Sequence, residues 1–152
     1  MTRGGSASYD GAMHILLIED NPHDVELARV ALARCGLPVE LVAVPDEAGA
    51  VDFLLRRGAH VDRPAGAPAV VFLDLVLEES RGVELIATIR AHDRLAWVPI
   101  VMLTTSHSPR DIAECYRRGA NAYMVKPLSL GEFAENFARA LRFWTQINTR
   151  VE

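Results

Sequence analysis

Five residues in this chain are of the types and in the places that could do chemistry together: Glu19, Asp20, Asp74, Thr104 and Lys126. Three carboxylates at close range repel one another, and without compensation at least one pKa must rise. A hard divalent cation relieves that repulsion. Magnesium takes a few carboxylates, keeps waters, and accepts phosphate oxygens as further ligands. The Lys126 ammonium adds a positive point charge that can meet a phosphoryl oxygen. The chemistry this set suits is phosphoryl transfer onto a carboxylate. Asp74 would be the nucleophile, with magnesium and Lys126 stabilising the equatorial oxygens and Thr104 bonding the bound group. Taken singly, each residue has a plainer reading: Asp74 a turn residue or cap, Glu19-Asp20 caps for the next helix, Thr104 a strand residue, Lys126 a solvated charge. The argument rests on all five meeting at one place.

The elements that must bring them together are short apolar runs alternating with helical patterns. His14–Ile18 reads as a buried strand that ends in Glu19-Asp20. Asn21-Pro22 supplies an N-cap and a proline at the first helical position, and Gly36 stops that helix. Val39–Val44 is a second strand; Asp46 caps a helix carrying Ala50, Phe53 and Leu54, ended by Gly58. A polar Pro/Gly-rich loop, Ala59–Pro68, leads to Ala69–Leu73, the most apolar strand and so a central one, which delivers Asp74. Val83–His92 is helical. Pro99–Leu103 is a fourth strand leading to Thr104, and Ser108-Pro109 opens a helix with Ile112, Cys115 and Tyr116 inside, stopped by Gly119. Asn121–Val125 is a fifth strand ending at Lys126-Pro127. Ser129-x-x-Glu132 forms a capping box, Leu128 is placed to staple onto Phe133, and Phe133, Phe137, Leu141 and Trp144 form the buried stripe of the last helix. Five βα units predict an α/β fold: a flavodoxin-like (βα)5 domain whose five-stranded parallel sheet is covered by helices on both faces through right-handed crossovers. Ligands of such sheets sit at the carboxyl ends of the strands, where all five residues fall.

Composition bounds the function classes. The chain has 152 residues, 50% of them hydrophobic and 24% charged, which predicts one folded domain. We expect residues 1–12 to be a flexible tail, 13–146 the domain, and 147–152 a short C-terminal tail. No apolar run is long enough to span a membrane, and the N-terminal residues do not form a signal peptide, so a cytoplasmic protein without membrane contact is expected. The formal net charge of -4 argues against nucleic acid as the partner. Cys35 and Cys115 lack paired spacing and read as reduced, packed thiols. His14, His23, His60, His92 and His107 show no metal-ligand pairing.

With these residues in view, the sequence resembles the receiver domain of two-component response regulators over about residues 13–146. The matching stretches are ILLIEDNPHDVELA, VVFLDL, PIVMLTTS and NAYMVKPLSL, and the spacings from Asp74 to Thr104 and to Lys126 match as well. The resemblance implies that Asp74 is the phosphoacceptor, that Glu19 and Asp20 are the acidic pair holding Mg2+, and that the backbone carbonyl of Val76 is a further metal ligand. It implies Thr104 as the switch hydroxyl, Tyr123 as the switch aromatic, Lys126 as the phosphoryl-contacting lysine, and a cis bond before Pro127. The partner it implies is a histidine kinase that passes its phosphoryl group to Asp74. Thr104 is then drawn inward, Tyr123 fills the vacated space, and the face of the fourth helix, fifth strand and fifth helix shifts in population. Such a protein is no enzyme beyond its own phosphorylation and dephosphorylation. The Ala59–Pro68 loop, DFLLRRG, LTTS and Phe143-Trp144 further resemble stand-alone receivers partnered with bacterial phytochrome kinases.

Where the family often has a Pro and an Asp after the phosphoacceptor, this chain has Glu78 and Arg81, which predicts a more mobile and more charged Glu78-Glu79-Ser80-Arg81 loop. Val76 and Ser106 flank the site without a carboxylate or amide to hold a hydrolytic water, so slow self-dephosphorylation is expected. A haloacid-dehalogenase-like phosphatase would need a second Asp at the Val76 position. A flavodoxin-like flavin binder would need a Ser/Thr/Gly-rich phosphate loop where Glu19-Asp20-Asn21-Pro22 stands, and no GxxxxGK[ST] or G-x-S-x-G occurs. The alternative of a different class is a receiver-shaped interaction module that works without phosphorylation. With no output domain expected in the chain, its effect passes through contacts. Phe143 and Ile147 form an apolar strip expected to support a homodimer, because Phe143 and Trp144 cannot both face one core from a helix.

Overall fold

In a computed structural model of the chain, residues 13–77 and 81–151 are described; the expected N-terminal tail and the Glu78-Glu79-Ser80 part of the charged loop lie outside them. Five strands, β1 (Met13–Ile18), β2 (Val39–Val44), β3 (Val71–Leu73), β4 (Ile100–Thr104) and β5 (Ala122–Val125), alternate with five helices. These are α1 (Pro22–Cys35), α2 (Glu47–Leu55), α3 (Gly82–Arg90), α4 (Pro109–Arg118) and α5 (Leu130–Arg142). All strand pairs are parallel, in the order β2-β1-β3-β4-β5. The order reverses at β1, so the carboxyl ends of β1 and β3 border the crevice where this architecture binds ligands.

Alternation along each strand sorts the core into two layers. Leu16, Ile18, Val71, Leu73, Ile100 and Met102 point to one face, where they meet Phe53, Leu85, Ile86, Ile89 and Cys115 of α2, α3 and α4. Ile15, Leu17, Phe72, Val101 and Leu103 point to the other, against Ala28 and Ala31 of α1 and Phe133, Phe137 and Leu141 of α5. A strand apolar on both faces is what a doubly covered parallel sheet demands.

The helix boundaries follow local chemistry. Asn21 Oδ1 accepts from the His23 amide at 2.9 Å, Asp46 Oδ1 from Gly49 at 2.8 Å, Ser108 Oγ from Asp111 at 3.5 Å, and Ser129 Oγ from Glu132 at 3.3 Å. Gly36 and Gly119 take the left-handed conformation that closes α1 and α4.

Several expectations need correction. The left-handed residue closing α2 is Arg56 (φ 57), two residues before Gly58. Its amide and that of Arg57 reach back to the Phe53 and Asp52 carbonyls, which stabilises a conformation that would otherwise favour glycine. Tyr116 is exposed and only Cys115 of α4 is fully inside. Leu128 is fully exposed and does not staple onto Phe133, which packs instead against Phe137 in a stacked pair at 5.5 Å. The Lys126–Pro127 bond is trans, the isomer an X–Pro amide favours by default, where cis had been expected. The last helix changes to a π-helical turn, Phe143–Ile147; Thr145 is buried there and donates to the Leu141 carbonyl at 2.6 Å, while Trp144 packs half-buried at the core's edge.

Candidate functional site

The site is built at the carboxyl edge, where β1, β3, β4 and β5 deliver polar side chains at or just past their last apolar residues. Glu19 follows Ile18, and its amide still pairs with the Val44 carbonyl of β2 at 3.0 Å, which fixes the backbone leaving β1. Asp74 follows Leu73, with its amide on the Ile18 carbonyl at 3.2 Å, so β1 and β3 present their acids side by side. Lys126 follows β5, and its amide donates to the Thr104 carbonyl at 2.7 Å.

Three carboxylates converge on the Lys126 ammonium: Glu19 at 2.9 Å, Asp24 at 3.0 Å and Asp74 at 3.5 Å. The first two are hydrogen bonds. Glu19 is buried, and its second oxygen accepts from the Asn21 amide at 3.2 Å. Burial pushes the Glu19 carboxyl up to about 7; Lys126 opposes the shift and the Asp74 charge adds to it. Burial also works against the Lys126 charge, but its hydrogen bond to Glu19 and the charges of Asp74 and Glu19 outweigh it and raise the ammonium's pKa. Both groups therefore hold their protons more tightly than usual, Glu19 chiefly because it is buried and Lys126 because acids surround it.

Three carboxylates around one ammonium leave the pocket with more acid than base, and a divalent cation suits that surplus. Among the described residues no three Asp, Glu, His or Cys side chains form a ready-made cage. Magnesium does not need one, since it is commonly held by one or two carboxylates and completes its shell with water and phosphate oxygens. Asp20 is partly buried beside Glu19 at the end of β1. The donor set of hard oxygens around an overcharged acidic pocket fits such a cation.

Thr104 is buried at the end of β4, and its hydroxyl accepts from the Ser106 amide at 3.4 Å. Tyr123 lies on β5 with its ring half-buried against the α2–α3–α4 layer, and its hydroxyl donates to the Ser106 carbonyl at 2.9 Å. Burial raises the Tyr123 pKa, so the phenol stays a donor. Ser106 itself donates to Asp111 Oδ2 at 2.6 Å, tying the β4–α4 loop to the first turn of α4. After Asp74 the chain turns back through a single antiparallel bridge, Val76 to Arg81. The Val76 amide donates to Asp74 Oδ1 at 3.2 Å, and the Gly82 amide to the Leu75 carbonyl at 2.7 Å. Phe143 and Ile147 are both exposed, away from this pocket.

The structure thus gathers Glu19, Asp74 and Lys126 in direct contact, with Thr104 on the neighbouring strand. The residue that sequence reasoning missed is Asp24. An acid in the first turn of a helix is adequately explained by the helix dipole, so no signal set it apart.

The sequence matches the response regulator receiver domain family over residues 15–138. Response regulator Rcp1 of Synechocystis sp. is 31% identical over 135 residues, spanning 89% of this chain and 90% of that protein. A crystal structure of Rcp1 in its Mn2+-bound form is similar with a TM-score of 0.82 at 29% identity, over 92% of this chain and 99% of that one. The phosphorylated cyanobacterial phytochrome response regulator RcpA gives a TM-score of 0.84 at 31% identity, over 93% and 99% of the two chains. The bacteriophytochrome response regulator AtBRR gives 0.71 at 40% identity, over 91% and 99%. A parallel five-stranded sheet that delivers an acidic pair, an aspartate, a threonine and a lysine to one edge, together with a family match over most of its length, makes this chain a member of the response regulator receiver domain family of two-component signalling, similar to phytochrome response regulators.

Proposed function

We propose that this chain accepts a phosphoryl group onto Asp74 from the phosphohistidine of a histidine kinase, and that the phosphorylated form signals through its surface. The observation that carries the reading is the meeting of Asp74 and Glu19 on one lysine from three separate strand ends. In the transfer, an Asp74 carboxylate oxygen bonds to phosphorus as the P–N bond breaks, and the kinase imidazole leaves with the electron pair. Lys126 faces the incoming phosphoryl oxygens. Asp20, Asp74 and the Val76 backbone carbonyl, with Glu19 completing the acidic set, would hold Mg2+, which when bound neutralises charge on the phosphoryl oxygens. The Mn2+-bound form of Rcp1 supports a divalent cation here.

Thr104 bonds the new phosphoryl group in this reading. Tyr123 then gives up the Ser106 carbonyl and turns toward the space left inside, which repacks the α4-β5-α5 face for a partner. The names of RcpA and AtBRR support a phytochrome histidine kinase as the donor. Phe143 and Ile147, exposed beside each other on the π-helical turn, are the proposed homodimer contact. No described helix is long and apolar enough to cross a membrane, and we place the protein in the cytoplasm, where kinase catalytic domains work.

The test is incubation of the full chain with acetyl phosphate and Mg2+, followed by intact mass measurement. One added phosphoryl group is expected, lost on chelation of the metal and absent in Asp74→Asn. An unmodified chain under conditions that preserve acyl phosphates would leave the phosphorylation-independent interaction module as the reading.

A further inference from the structure

An ammonium has three hydrogens to give, and Lys126 faces three carboxylates. It hydrogen-bonds Glu19 at 2.9 Å and Asp24 at 3.0 Å, and stands 3.5 Å from Asp74, the residue it is to serve. Two of its hydrogens are thus taken, and closing with the third on a phosphoryl oxygen draws the ammonium off its two shorter partners and lengthens one of those bonds. The two are not equivalent. The Glu19 side chain is 3% exposed and the Asp24 side chain 30% exposed. Releasing Glu19 leaves a desolvated carboxylate without its counter-ion, whereas Asp24 exchanges the lysine for water. Asp24 also stands in the first turn of α1, where the helix N-terminus favours its charge with or without the lysine.

We propose that Asp24 is a positioning residue that retains the Lys126 ammonium beside the phosphoacceptor and hands it over when a phosphoryl group arrives. Asp24 thereby sets how much of the lysine's attraction is left for the phosphorylated state. The inference rests on the assignment of Asp74 as phosphoacceptor, and its sign is counterintuitive: removing this acid strengthens the phosphorylated state, because the lysine is no longer held back toward Asp24.

The test is the affinity of the full chain for beryllofluoride, a phosphoryl mimic, in the presence of Mg2+, followed by calorimetry. Asp24→Asn is expected to tighten binding by about fivefold, the worth of one partly exposed ion pair. Asp24→Glu, which restores the carboxylate, is expected to return binding toward the parent value. In a Lys126→Ala background Asp24→Asn is expected to change nothing, because the effect runs through the ammonium. Asp24→Ala provides a second variant with the same expected sign should the asparagine form fail to fold. Unchanged or weaker binding in the folded Asp24 variants, or an equal effect with and without Lys126, overturns the proposal while leaving the phosphoacceptor assignment intact. Failure of the parent chain to bind beryllofluoride, or undiminished binding by Asp74→Asn, would overturn the assignment itself and the inference with it.

Discussion

At the residue scale, Gly82 shows how closely the backbone is drawn around Asp74, the proposed phosphoacceptor. A Cβ added there would overlap the Asp74 carbonyl oxygen and press on Leu75 Cα. Its φ is ordinary, so the need for glycine is one of space and not of backbone freedom. Gly82→Ala is expected to destabilise the fold by about 1–3 kcal/mol, the usual cost of forcing extra atoms into a packed place, as read from urea unfolding. His14 makes a different prediction. Its Nε2 is buried without a partner among the described residues, its ring meets Phe53 edge-on at 5.4 Å, and burial together with the Arg63 charge lowers its pKa from 6.5 to about 4. The folded state binds this proton less readily than the unfolded chain does, so stability is lost as pH falls from about 6.5 toward 4. His14→Phe should flatten that part of the acid limb in denaturation curves; an identical slope in both proteins would contradict the assignment. Asp74, Thr104 and Lys126 were legible because each directly follows an apolar run. Asp24 was not, because its partner lies across the sheet and only the folded chain joins them.

At the element scale, caps were the most readable feature, since a side chain two or three residues from the amide it satisfies leaves a local signature. Features set by distant contacts were not. The Ala59–Pro68 segment reads as a featureless polar loop, yet Arg63 organises it. Its Nε donates to the Phe53 carbonyl at 2.7 Å, its Nη1 to the Pro64 and Gly66 carbonyls at 2.7 and 2.9 Å, and its guanidinium lies 4.3 Å over the Phe53 ring. The arginine thus ties carbonyls of the loop to the end of α2, sharing that of Phe53 with the Arg56 amide. Arg63→Ala is expected to cost about 2 kcal/mol or more, since hydrogen bonds from a charged donor are lost together. Hydrogen exchange should rise first across 58–68 and at the end of α2. Uniform exchange changes across the sheet would contradict a local role. Leu128 was misread because an apolar residue before a capping box staples only if the tertiary fold turns it onto the helix, which no local pattern encodes, and the Pro127 bond takes the isomer X–Pro amides favour by default.

At the scale of the whole molecule, the fold followed from two regularities, continuous apolar runs buried on both faces of the central strands and regular alternation with helices. Together they leave few topologies open. The sheet order then assembles the site: placing β3 beside β1 sets Asp74 against the acidic residues that end β1, and β5 at the far edge sends its lysine back over β4 to reach them. The account's central claim is that, among the carboxylates gathered there, Asp74 alone forms the acyl phosphate. The most direct measurement is to phosphorylate the full chain with acetyl phosphate and Mg2+, reduce the acyl phosphate with borohydride, and locate the reduced residue by peptide mass spectrometry. The account predicts reduction at Asp74 and nowhere else. Reduction at Glu19, Asp20 or Asp24, or none in a chain that has gained phosphoryl mass, would contradict it.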